Sequence, residues 1–114
     1  MLSFDGLTKD QQKVLHTIWE RYKINCRSMT PNKANYFNDS DYVAKMMYCK
    51  PDEDILDYVS ELCWQLQRKG FLRCFPGDNK ANAIQLTDSS IALFESRGKQ
   101  LFARLIETGI DLIS

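Results

Sequence analysis

Residues 51–87 constrain this chain more than any other stretch. The run PDEDILDYVSELCWQLQRKG carries helical apolar spacing and ends on a glycine; FLRCF follows, then PGDN, then AIQLT. A helix, a stop, a strand, a tight turn and a second strand in that order specify a mainly α domain with a small β-hairpin. On a wheel at about 100° per residue, Ile55, Val59, Leu62 and Leu66 fall on one side, flanked by Leu56 and Cys63. That side is the expected buried face, with Cys63 a small core residue. The opposite side carries Glu53, Asp57, Glu61, Trp64 and Arg68.

Length and composition suit one ordinary domain. The chain has 114 residues, 44% apolar and 26% charged, near globular averages, so disorder is not expected. Fifteen Lys and Arg balance fifteen Asp and Glu. A net charge of zero removes the domain-wide basic footprint of many nucleic-acid binders. The balance is uneven along the chain: residues 1–50 hold eight bases and five acids, whereas residues 51–60 hold four acids and no base.

Cysteines stand at 26, 49, 63 and 74, with no CxxC or CxxH spacing and a single histidine. No metal site and no cofactor are expected from that pattern. The N-terminal MLSFDGLTKD lacks the basic start and apolar run of a signal peptide. No segment approaches the roughly 18 apolar residues that cross a bilayer. The expectation is a cytoplasmic protein with reduced thiols and no membrane partner.

The first helix should begin after Thr8, because Thr8 and Gln11 have capping-box spacing. Val14, Leu15, Ile18, Trp19 and Tyr22 form its apolar face, and His16 reads as a solvated side chain on the other side. INCRSM suggests a short strand, and TPNKANYFN a connection with a turn of helix near Ala34 to Phe37. A second helix starts at Asp39 or Ser40, with Val43, Met46 and Met47 facing the core. Pro51 fits the first position of the third helix. Asp52, Glu53 and Asp54 complement the positive end of its dipole, by about 0.3–1 kcal/mol each at a surface. Gly70 ends that helix, with Arg68 and Lys69 in its last turn. Thr87 or Asp88 caps a final helix of about residues 88–113, which Gly98 and Gly109 leave as one kinked helix or two.

Three groupings bear on function. Arg68, Lys69, Arg73 and Lys80 run from the end of the third helix through the hairpin, and with Lys45 and Lys50 they are the candidate phosphate contacts. Glu53, Asp57, Glu61 and Trp64 are the candidate protein-contacting face, since tryptophan is enriched at interface hot spots. Ile91, Phe94, Leu101, Leu105 and Leu112, near a seven-residue spacing, are candidates for pairing with a twin subunit; their alternative role is packing onto their own domain. One histidine, no Gly-rich phosphate loop and no GxSxG give no basis for an enzyme.

The segment Asp54 to Arg97 resembles the winged helix-turn-helix superfamily, in the style of the small PadR and MarR regulators. The resemblance lies in LQRKGFLR, the short hairpin, and LTDSS leading into a helix. Ser89 and Ser90 stand near where those families often have a glycine. It implies one winged-helix domain over 1–114, with a core of about 8–87 and an extra C-terminal helix. It also implies a transcriptional regulator that binds double-stranded DNA as a homodimer. The acidic start of the third helix departs from that pattern, because carboxylates do not neutralise phosphate. The alternative is an interaction module of the same fold that meets a protein and not DNA.

Overall fold

The computed structural model describes residues 2–107, with side chains described through Arg97. Most of its helices begin where a side chain accepts a backbone N–H that the helix leaves unpaired. Helix α1 (Lys9–Asn25) opens on the expected capping box: the Thr8 hydroxyl accepts from the Gln11 amide at 3.2 Å, and the Gln11 side chain accepts from the Thr8 amide at 3.1 Å. After the single turn α2 (Pro31–Ala34) comes α3 (Ser40–Met47), capped by Asp39. Helix α4 (Glu53–Arg68) is capped by Asp52, whose carboxylate accepts from the Ile55 amide at 2.9 Å. Strands β1 (Leu72–Gly77) and β2 (Lys80–Leu86) pair antiparallel, and α5 (Asp88–Glu107) follows. The Thr87 hydroxyl accepts from the Ser90 amide at the start of α5.

The fold is therefore mainly helical with a two-stranded hairpin. Val14, Leu15, Ile18, Val43, Val59, Leu62, Cys63 and Leu66 are all buried, as their periodicity requires, and Phe37, Leu72 and Ile84 complete the centre. Trp19 is half-buried and stacks on Phe94 of α5 at 4.6 Å between ring centroids. His16 is exposed, with its ring edge against Phe94 at 5.5 Å. Helix α5 runs uninterrupted past Gly98 to Glu107; Gly109 lies outside the described residues. No helix among the described residues is long and apolar enough to cross a membrane.

Gly70 closes α4 as expected, with φ +88°. The Phe71 amide donates to the Leu66 carbonyl at 2.9 Å and the Gly70 amide to the Gln67 carbonyl at 3.0 Å. These two bonds make a Schellman motif, and the buried Phe71 and Leu66 supply its apolar contact. The hairpin loop narrows to Asp78 and Asn79, both at positive φ, as a type I′ turn demands. Pro76 and Gly77 belong to β1. The register shifts between Arg73 and Phe75, which leaves Ala83 bulged at φ +49°. Helix α4 compensates there. Gln67 accepts from the Cys74 amide, and Ser60 accepts from the Ala81 amide at 3.0 Å.

Three expectations are corrected. INCRSM is not a strand: α1 runs on to Asn25, and turns follow, with the Met29 amide bonded to the Asn25 carbonyl. The extra helical turn is Pro31–Ala34, not Ala34 to Phe37, because Pro31 sets its first residue. Pro51 stands just outside α4, since Asp52 takes the capping position. The free edge of β2 is covered instead by residues 35–38. The Phe37 amide donates to the Ile84 carbonyl, and the Ile84 amide to the Asn38 carbonyl, each at 3.0 Å. Asn35 extends the pairing with its side chain, accepting from the Leu86 amide at 2.7 Å and donating to the Leu86 carbonyl at 2.9 Å.

Candidate functional site

Helix α4 presents a continuous acidic strip to solvent. Glu53, Asp54, Asp57, Tyr58 and Glu61 are all exposed, and Val59, Ser60, Leu62, Cys63 and Leu66 are buried on the other side. Tyr58, 47% exposed, donates its hydroxyl to the Asp10 carboxylate of α1 at 2.6 Å. That bond adds another carboxylate to the strip and raises the Tyr58 pKa, because the nearby acceptor favours the protonated phenol. Sequence periodicity missed Tyr58. Its signal was the four-residue step from Asp54, which places both on one helical row.

Trp64 stands differently from the expectation. It is half-buried and packs against the core cluster. On the wheel it borders Ser60, which is drawn inward by its bond to the Ala81 amide. The solvent strip is thus centred on Asp54, Asp57, Tyr58 and Glu61, with Trp64 at its margin.

The expected basic grouping is not brought together as a free patch. Arg68 pairs with Glu61 at 3.2 Å. Lys69 donates to the Gly6 carbonyl at 2.9 Å and to the Gln11 side chain at 2.8 Å, tying the N-terminal turn to the end of α4. Lys80 pairs with Asp41 of α3 at 2.5 Å, a contact that raises the lysine pKa. Arg73 is exposed and forms no ion pair among the described residues. Lys45 and Lys50 are exposed at the end of α3 and in the following connection.

The α5 candidates divide. Phe94 is buried against Phe4, His16 and Trp19, and Ile91 packs on the core. These two residues serve their own domain. The side chains of Leu101 and Leu105, and Leu112 entirely, lie outside what the structure describes. Two cysteines, Cys63 and Cys74, are buried side by side in the core. Burial pushes the Cys74 thiol up to about 12 and the Cys63 thiol higher still. Thiols so disfavoured as thiolates are poor nucleophiles at neutral pH.

No protein-family model, curated protein or solved structure matches this chain.

Proposed function

We propose that this chain is a winged-helix module that docks a basic protein surface on the outward strip of α4. Several features support the winged-helix reading: the α3–α4 pair, the hairpin bordered on its second edge by residues 35–38, and α5 after it. In such domains the α4 position meets the DNA groove. Here Glu53, Asp54 and Asp57 stand there without ion pairs among the described residues and Glu61 is held by Arg68, while Lys69 and Lys80 are engaged by other parts of the chain. That pairing of free carboxylates with occupied cations is the observation that carries the proposal. Carboxylates facing phosphate oppose binding, whereas complementary charge steers a basic partner and fixes its register.

A second reading, the DNA-binding regulator, is favoured by the unpaired Arg73 and by exposed Lys45 and Lys50. In either reading the chain acts as a cytoplasmic homodimer. Of the α5 candidates for its seam, Ile91 and Phe94 are already packed on their own domain.

One pair of measurements separates the readings. Affinity capture from the parent cell with wild type and with an Asp57→Lys/Glu61→Lys variant should yield a partner that the variant loses. Anisotropy against duplex DNA at low salt should show no binding at tens of micromolar protein. Non-specific Kd values are about 10⁻⁴–10⁻⁶ M at physiological salt and tighten as salt falls. Duplex binding that disappears in Arg73→Ala, together with identical capture profiles, would establish the second reading in place of the first.

A further inference from the structure

We infer that the polar cleft beside the hairpin binds a free α-amino acid in its zwitterionic form. The cleft lies between α2, the outer face of the strands and the first residue of α5. It is lined by Asn32, Asn35, Arg73, Gln85, Leu86 and Asp88 and has a volume of about 290 Å³. That volume sits at the lower edge of the range for small-molecule sites, roughly 300–1,000 Å³.

Its floor is fixed and satisfied. Asn35 holds both backbone groups of Leu86, so neither its amide nor that backbone is free to turn. Its rim is the reverse. Arg73 and Asp88 line the same cleft yet form no ion pair with each other; the ion pairs among the described residues are Lys23–Glu20, Arg68–Glu61 and Lys80–Asp41. The side chains of Asn32 and Gln85 likewise have no hydrogen-bond partner among the described residues. Arg73 and Gln85 are cross-strand partners, and both side chains line the cleft.

The charges decide what fits. A simple anion meets Arg73 but is repelled by Asp88, and a simple cation meets the opposite conflict. A long apolar molecule leaves the polar walls unpaired. A zwitterion satisfies both ends: its carboxylate takes the guanidinium fork in bidentate geometry, and its ammonium takes the Asp88 carboxylate. Asn32 and Gln85 remain for a polar side chain on the ligand. Since the cleft is built from other residues than the α4 strip, this inference does not depend on the proposed function.

The test is an amide-resolved NMR titration of the whole chain with the common L-amino acids. At least one should produce saturable shifts centred on Arg73, Gln85 and Asp88. Its N-acetyl derivative and its carboxamide, each lacking one charge, should not. Arg73→Ala and Asp88→Asn should each weaken binding by about tenfold or more, the usual size for losing a hydrogen bond to a charged group. Arg73→Lys, which keeps the charge but not the fork, should weaken it several-fold. All three changes are at exposed positions, and an unchanged spectrum elsewhere verifies the fold. The inference is overturned by no saturable shift with any amino acid up to about 10 mM, a concentration well above a millimolar Kd. It is equally overturned by binding that survives acetylation or amidation, or by binding indifferent to both Arg73 and Asp88.

Discussion

The two ends of α4 hold their charges in opposite ways. Near its start, Glu53, Asp54 and Asp57 stand in solvent without ion pairs among the described residues. Past its end, Lys69 reaches across to the Gly6 carbonyl and to Gln11, and Lys80 on the hairpin clasps Asp41. Of the cations that look like a phosphate-binding set in the sequence, Lys69 and Lys80 act as fasteners between elements. The acids fasten little beyond the helix terminus they cap and complement. A charge that the fold does not use is free for a partner, and on the outward face of α4 such charges are negative.

The sharpest challenge to that contrast compares the two sides of the same helix. Leu66→Ala removes a fully buried side chain beneath the hairpin and should destabilise the domain by about 2–5 kcal/mol in urea titration. Asp57→Lys, on the exposed side, should change stability by less than about 0.5 kcal/mol. A comparable loss in both variants would mean that the acidic strip is structural, and the docking proposal would lose its footing.

Alkaline titration distinguishes the same two sides by a different route. The buried Cys63 and Cys74 thiols have folded pKa values raised by desolvation, Cys74 to about 12. A raised folded pKa stabilises fully below the unfolded value, near 8.5 for a thiol, and that stabilisation is lost as pH climbs toward the folded value. The urea midpoint should therefore decline from about pH 8.5 upward. Tyr58, on the outer side, is also raised, by its bond to Asp10. Its contribution is full below about pH 10 and disappears above it. Tyr58→Phe should leave the curve unchanged up to about pH 10 and flatten it only beyond. A decline that starts at pH 10 in wild type would show the thiols to be more solvated than their burial indicates.

Asn35→Ala probes the covered edge of β2. The variant leaves the Leu86 amide and carbonyl without their side-chain partner, at a cost of about 1–3 kcal/mol. Amide exchange at Leu86 should accelerate along with it. Unchanged exchange there would mean that water replaces the asparagine at no penalty, and that residues 35–38 are not needed as a third edge.

How much of this was legible beforehand follows from the range of each interaction. The capping box at Thr8, the Asp39 cap and the glycine stop at residue 70 involve neighbours within a few positions, so the sequence displays them directly. The buried faces of α1, α3 and α4 were visible for the same reason, since helical rows repeat every three or four residues. Asn35 pairs with Leu86 across 51 positions, and Lys69 with Gly6 across 63. No local pattern announces such bonds, and they decide which polar side chains are free. Trp64 was misplaced because a wheel ranks residues by apolar spacing alone. Ser60 is a polar residue drawn inward by the Ala81 amide, and the boundary of the face moves with it.

The smallest expected effect concerns the cations themselves. Lys69→Ala deletes the bonds to the Gly6 carbonyl and Gln11 and should cost about 0.5–1.5 kcal/mol, the net worth of ordinary hydrogen bonds. Arg73→Ala removes a side chain with no ion pair among the described residues and should leave the urea midpoint unmoved. The difference between the two variants, and not either value alone, measures whether the fold has claimed its basic residues. Equal and negligible losses would return Lys69 to the pool of cations available to phosphate and strengthen the DNA-binding reading. A loss confined to Lys69 would leave Arg73 as the one member of the expected set from helix end to hairpin that remains free to meet a ligand.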